Sequence, residues 1–418
     1  MATNVVRGVL GFATSVVITR SLSTEARGTF SFITNGTSVL IMLAGLGIAS
    51  ALTRAKASGS ADIDQLYRAS FVIGGVVGTA ASGSFVLLYA LTRSTLLSGI
   101  TVGEASAVAV LVPPLLVLSH WTVVAYLEDR IVEISAVTIG GSLLFLALLS
   151  AGAAAGTLDA PKTIATWAVT ALVPFALLVR PGRLRVGRDL RRVARDLVAY
   201  GLRTNLAVVG LILAWRVDVF FVKGFRGIRE LALYAVAVGL AEIVLQVATS
   251  LRVALTPRQG DRSDRTGLVT SLATITRLTV FAGAVATLVV VPLSRVLVTG
   301  LYGERYAASA EALAWLAPGI VALVAQGPLL DFLLAEGAVR AVTWAAVLGL
   351  VANVALNAML LPHHTFVVAA VASTATYVLS CAMTMTAFRR ATEVTWSGLL
   401  LARRHDLLAI VRRAPAVR

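Results

Sequence analysis

Long apolar runs alternate with short polar breaks along nearly the whole chain. The runs cover, approximately, residues 4–19, 30–52, 69–91, 105–126, 132–155, 163–179, 200–222, 232–254, 270–293, 311–334, 340–361 and 366–388. A helix needs about 20 mostly apolar residues to cross the hydrocarbon of a bilayer. Strands of a membrane barrel would be about half as long and would alternate polar with apolar. The pattern therefore predicts an all-α integral membrane protein, with each run a spanning helix.

Composition agrees with this reading. Of 418 residues, 58% are hydrophobic and 14% charged, against roughly 45–50% and 25% in soluble domains. The net charge of +15 does not indicate nucleic acid, because the basic residues sit between apolar runs and not on one face of a soluble domain. They fall mostly on one set of alternate loops. Lys and Arg accumulate on the cytoplasmic side of membrane proteins, so both termini are expected inside, in a bacterial inner membrane. The single cysteine, Cys381, lies in an apolar run and offers no intramolecular disulfide. The run from Val5 to Ile18 leads into Arg20 without a cleavage pattern, and is read as the first helix.

A run of arginines from Arg180 to Arg195 lies near the midpoint. It reads as the joint between two six-helix halves, in contact with anionic headgroups. A short repetition supports the division, since ALTR at Ala51–Arg54 recurs as ALTPR at Ala254–Arg258. The expected organisation is an N-terminal lobe at 1–180, a basic linker at 181–199, a C-terminal lobe at 200–390 and a basic tail at 391–418. In the tail, Trp396, Leu399, Leu400, Leu407 and Val411 share a face beside Arg403, Arg404, Arg412 and Arg413, which fits either a helix on the membrane surface or a solvated end.

Ionisable residues inside spans are costly and usually face a bundle interior or a watery cavity. On the eighth span, Gly239, Glu242, Gln246 and Thr249 recur at three and four residues and form a polar stripe, with Glu242 as the candidate cavity acid. The alternative is a structural hydrogen bond between helices. On the first span, Arg7 either binds phosphate or reaches back to the membrane surface. On the seventh, Arg216 and Asp218 stand two residues apart on nearly opposite sides of a helix and must look to different partners. Arg203 and Arg252 lie at inner ends of spans, as headgroup ligands or as ordinary anchors. Arg277 and Asp331 suit an interhelical salt bridge, and Asn353 with Asn357 suit hydrogen bonds between helices.

The chain carries no P-loop, no HExxH, no nucleophile elbow and no CxxC pair. Its histidines, His120, His363, His364 and His405, have no ligand spacing. No cofactor, metal site or catalytic residue is expected, and an enzyme is not the favoured reading.

Five segments carry a family resemblance: ITRSLSTEARGTFSF (Ile18–Phe32), GLGIASALTR (Gly45–Arg54), WRVDVFFVKGFRGIRELALYAVA (Trp215–Ala237), GLYGERYAASAEALAWLAP (Gly300–Pro318) and NVALNAMLLP (Asn353–Pro362). In this order they resemble the polysaccharide transporter branch of the superfamily that also holds multidrug exporters and peptidoglycan lipid flippases. Asp218 stands where that branch usually carries an aspartate. The resemblance implies two six-helix lobes, related by a pseudo-two-fold, around a cavity that opens alternately to either side. It implies a cargo of undecaprenyl-pyrophosphate-linked oligosaccharide, flipped for surface polysaccharide synthesis. On that reading Arg7, Arg203, Arg216 and Arg252 are candidate headgroup contacts, and Asp218 and Glu242 candidates for coupling to H+ or Na+. Membrane lipids, a polysaccharide polymerase and glycosyltransferases are the expected partners, with no nucleic acid. Two alternatives stay open: a cation-coupled exporter of small molecules, and a non-transporting scaffold for polysaccharide assembly.

Overall fold

The computed structural model describes residues 2–95, 97–184, 189–255 and 265–401; the side chains of 2–5, 203–209, 211–212, 243–255 and 335 lie outside the description. All regular structure among the described residues is helical. The first seven helices are α1 (Ala2–Ser21), α2 (Thr24–Ala44), α3 (Ile48–Ala57), α4 (Ile63–Thr92), α5 (Val102–Leu127), α6 (Ile131–Ala154) and α7 (Ala160–Leu178). They are followed by α8 (Leu190–Leu255), α9 (Arg265–Tyr302), α10 (Ser309–Ala335), α11 (Val339–Leu360), α12 (Val367–Thr392) and the short α13 (Trp396–Leu400). Among the described residues, eight helices are long and apolar enough to cross a membrane, or nine if the bent pair α2–α3 is one span. The remaining expected spans, 4–19, 200–222 and 232–254, lie on α1 and α8. Large apolar side chains such as Leu87, Leu91, Val110, Val169 and Leu288 point outward, as lipid-facing positions require.

Local sequence explains where helices begin. Asp62 and Gln65 form a reciprocal capping box at the start of α4, with bonds of 2.7 and 2.9 Å. Thr101 and Glu104 do the same for α5. Asp159 caps α7 through the Lys162 N–H at 2.8 Å. Pro113 inside α5 cannot bond the Ala109 carbonyl one turn earlier. The Ser82 hydroxyl of α4 donates to that oxygen at 2.7 Å, so the bond that the proline removes is replaced from the neighbouring helix.

Two features depart from the hydropathy reading. The run at 30–52 is not one straight helix, because Leu46 and Gly47 take left-handed backbone angles (φ 48° and 67°) and turn α2 into α3 by 43°. The expected loop between 222 and 232 is helical except at Gly227 (φ 81°, ψ 179°), where α8 turns a corner. Each break includes a glycine, which accepts positive φ without steric cost, while Leu46 adopts it at the cost that a side chain brings.

The chain packs as two compact units, Val9–Ala235 and Val236–Arg418 with Met1–Gly8. The division falls inside α8. Residues 190–235 pack with the preceding helices because α2 lies along the first arm of α8. A Cβ on Gly201 would overlap the Leu46 carbonyl at one end of this contact, and one on Gly28 would overlap the Ile228 carbonyl at the other.

In the Val9–Ala235 unit, α5 packs against α2, α3, α4 and α7. Trp121 is central: it stacks on Tyr67 (4.5 Å between centroids) and on Phe175 (5.5 Å), and its indole N–H donates to the Tyr67 carbonyl. In the other unit, α10 packs on α9 and α12, and α11 packs on α12. Asn353 donates to Thr376 at 3.2 Å, and Asn357 donates to Asn353, with both asparagines fully buried.

Candidate functional site

The first arm of α8 carries three charged side chains that point into the Val9–Ala235 unit. Asp218 is 2% exposed. It accepts the phenolic O–H of Tyr234, from beyond the Gly227 corner, and the Val219 N–H at 2.8 Å. The corner folds the second arm back so that residues 16 apart meet. A carboxylate removed from water needs such donors, since burying a charge without them costs several kcal/mol.

Arg216, half-buried, donates to the Asn35 side-chain oxygen of α2 at 3.0 Å. One turn further along α8, Phe220 meets Phe32 edge-on at 5.6 Å. Beyond it, Lys223, only 4% exposed, lies 5.6 Å from the same Phe32 ring and donates to the Ser98 carbonyl at 2.9 Å. Gly28, Phe32 and Asn35 recur at four and three residues, so one face of α2 is fitted to α8. The arrangement places a guanidinium, an ammonium and a carboxylate on one arm of one helix, with Asn35 and Phe32 of α2, Ser98 of the α4–α5 connection and Tyr234 from beyond Gly227 among their partners.

Arg7 is exposed on α1, and Glu242 is half-buried on α8 within the Val236–Arg418 unit. The Arg203 and Arg252 side chains lie outside the described residues. Arg277 donates to the Gly398 carbonyl of α13 and to Thr274 at 3.0 Å. It thereby ties the start of the tail to α9, and Leu399 is buried there. The tail beyond residue 401, with Arg403, Arg404, Leu407, Val411, Arg412 and Arg413, lies outside the described residues. Asn35, Phe32, Tyr234 and Lys223 were not singled out from sequence. Neutral and aromatic residues in a span raise no flag by charge, although the spacing of Gly28, Phe32 and Asn35 is readable.

A separate ionic network joins the ends of α4, α5 and α7. Arg183 contacts Glu128 at 2.6 Å and Asp64 at 3.2 Å, and Arg130 contacts Glu128 at 3.1 Å and also Glu133. Partial burial pushes the Glu128 pKa up, but hydrogen bonds from Arg183 and Arg130 outweigh it and hold the carboxyl below its ordinary value. The Tyr67 hydroxyl donates to the Leu178 carbonyl and accepts the Arg180 N–H at 2.7 Å, which locks the end of α7 onto α4.

Comparison with known proteins gives a consistent picture. A family model described as polysaccharide biosynthesis protein matches residues 1–261, and the MatE model matches residues 206–359. No curated protein matches the chain in sequence. Among solved structures, the lipid II flippase MurJ in an inward closed conformation is 12% identical with a TM-score of 0.71, over 96% of this chain and 87% of that one. An inward-facing multidrug resistance MATE family transporter of the MOP superfamily is 14% identical with a TM-score of 0.66, over 92% and 94%. The Vibrio cholerae MATE transporter VcmN is 13% identical with a TM-score of 0.55, over 95% of each chain. Identities this low speak for the fold, while the family model covers more than half of the chain. The protein therefore belongs to the polysaccharide biosynthesis protein family, within the superfamily of multi-pass membrane transporters that includes the MATE proteins and the lipid flippases.

Proposed function

We propose that this protein flips a lipid-linked oligosaccharide, carried on undecaprenyl pyrophosphate, across a bacterial inner membrane by alternating access, with both termini cytoplasmic. The observation that carries the reading is the first arm of α8, where Arg216, Asp218 and Lys223 are held inside the Val9–Ala235 unit. Ionisable groups at such positions are costly to a membrane protein and are kept for substrate and ion pathways. A pyrophosphate cannot cross hydrocarbon without charged partners, and arginine recognises it through paired N–H donors. Arg216 is assigned to the headgroup, with Arg7, Arg203 and Arg252 as further contacts. Asp218 and Glu242 are assigned to coupling with H+ or Na+. Membrane lipids surround the protein, and a polymerase and glycosyltransferases are its functional partners.

The test is reconstitution of the purified chain in liposomes with a fluorescent pyrophosphoryl-lipid glycan. The readout is exposure of the headgroup on the opposite leaflet to a membrane-impermeant quencher. Headgroup transfer above that of protein-free vesicles is expected, with at least tenfold slower transfer for Arg216→Ala and for Glu242→Gln at equal protein content. Transfer no faster than in empty vesicles would sink the reading.

The MatE match over residues 206–359 favours one second reading, a cation-coupled exporter of small molecules. Export of a cationic dye driven by an imposed ion gradient, with no glycan-lipid transfer, would select it.

A further inference from the structure

A cavity of about 400 Å³ opens at the end of the Val9–Ala235 unit that carries the basic loops. It lies between the last turn of α3, the start of α4 and the first turns of α8. Its volume is within the roughly 300–1,000 Å³ typical of small-ligand sites. The floor is apolar: Ala51, Val193 and Leu197 are buried and belong to the packed core below. The rim is amphoteric, with Arg54 and Arg192 facing Asp189 and Asp196.

These charges are not equivalent. Asp196 is engaged by Arg192 (3.9 Å) and Arg195 (3.5 Å). Arg54 and Asp189 make no ion pair among the described residues, although they line the same cavity. Arg54 lies with its guanidinium carbon 4.5 Å from the centre of the Tyr200 ring. Stacking uses the face of the guanidinium and leaves its N–H donors free along the edge. The cavity thus presents a cation and an anion that do not reach each other, with Ser58 and Ser60 hydroxyls between the helices.

A ligand that satisfies both carries an anion and a cation a short distance apart. A phosphate suits Arg54, through paired donors. The cation is a primary ammonium and not a quaternary one, because quaternary groups are held by aromatic cages. Tyr200 is the cavity's aromatic side chain, and its face is already covered by Arg54. A primary ammonium donates hydrogen bonds to a carboxylate such as Asp189. The apolar floor and the position at the ends of apolar helices place the cavity at headgroup depth. We infer that this cavity binds a phosphoethanolamine group, phosphate on Arg54 and ammonium on Asp189, and so gives the protein a zwitterionic headgroup site distinct from Arg216, Asp218 and Lys223 further along the same arm of α8.

The same chemistry is offered by a lipid headgroup and by soluble phosphoethanolamine, and two arms separate them. In the first, the full-length protein is placed in nanodiscs of mixed phosphatidylethanolamine, phosphatidylglycerol and phosphatidylcholine, and the lipid retained on release is read by native mass spectrometry. In the second, soluble O-phosphoethanolamine is titrated calorimetrically into the detergent-solubilised protein. Phosphatidylethanolamine enriched at least fivefold over both other lipids, with the enrichment lost in Arg54→Ala and in Asp189→Asn, supports the site and assigns it to lipid. Calorimetric binding lost in the same two variants, without lipid enrichment, supports the site with a soluble ligand. Both positions are exposed, and thermal melting confirms that the variants fold. Equal retention of the three lipids with no calorimetric binding overturns the inference. So does a preference indifferent to both substitutions, or one for phosphatidylglycerol that depends on Arg54 alone.

Discussion

Gly28 of α2 lies so close to Ile228 of α8 that a methyl group on its Cα would overlap the Ile228 carbonyl oxygen and stand 3.1 Å from the carbonyl carbon. The backbone at this contact has no flexible end to move aside. Gly28→Ala is expected to destabilise the protein by about 1–3 kcal/mol, the usual cost of overpacking. Gly36, on the same helix, has open space around its Cα. Gly36→Ala is expected to be neutral or to raise stability by up to about 1 kcal/mol, since alanine is the better helix former. Thermal melting of both variants in one detergent checks the contrast, and equal melting temperatures would contradict it.

The buried pair of Asp218 and Tyr234 makes a second prediction. Tyr234→Phe preserves the ring and removes the hydroxyl that donates to the carboxylate. A hydrogen bond to a charged group contributes about 1.5–3 kcal/mol, so a loss of that order is expected. Asp218→Asn with Tyr234→Phe is expected to recover part of it, because the charge that needed the donor has gone. A double-mutant cycle measured by melting gives the coupling, and a cycle with no coupling would show that the contact carries no energy.

How far the sequence discloses this architecture depends on what each element needs. Helices such as α4 and α6 are visible because their apolar length is sufficient evidence by itself. The bend at Leu46 and Gly47 is hidden inside a run that stays apolar on both sides, so hydropathy passes through it. The corner at Gly227 sits in a polar stretch that reads as a loop, while its backbone remains helical on either side of one residue. Arg216 and Asp218 are visible as charges in a span. Their partners Asn35 and Tyr234 are not, because pairing across 181 positions, or around a corner, leaves no local pattern. The network of Arg183 with Glu128 and Asp64 is hidden for the same reason, since it exists only once three helix ends are brought together.

That network predicts a pH dependence. The folded-state pKa of Glu128 is depressed, with the arginine hydrogen bonds outweighing partial burial. Its contribution to stability is therefore fully present above the ordinary glutamate value of about 4.3, and is lost as pH falls through the lower folded value. Glu128→Gln is expected to melt below the wild type at pH 7, with the gap closing as pH is lowered below the ordinary glutamate value of about 4.3. A gap that stays constant or widens on acidification would rule out the assignment.

The Ser82 hydroxyl and Pro113 are linked through a carbonyl that neither residue owns. Proline at 113 removes the N–H that would have bonded the Ala109 oxygen, and Ser82 supplies a replacement from the neighbouring helix. Ser82→Ala in the wild-type background leaves that oxygen unpaired in an apolar interior, at a cost of about 0.6–1.7 kcal/mol by analogy with other intramembrane hydrogen bonds. In a Pro113→Ala background the helix bonds Ala109 itself, and removal of the serine hydroxyl should then cost almost nothing. The two substitutions are thus expected to be non-additive, with a coupling of roughly 1 kcal/mol. Pro113 also packs against Gly78, so the proline substitution carries a packing effect of its own, but that effect appears on both sides of the cycle and cancels. Additive losses in the melting of the four proteins would show that the serine is not the partner of the carbonyl that the proline leaves open.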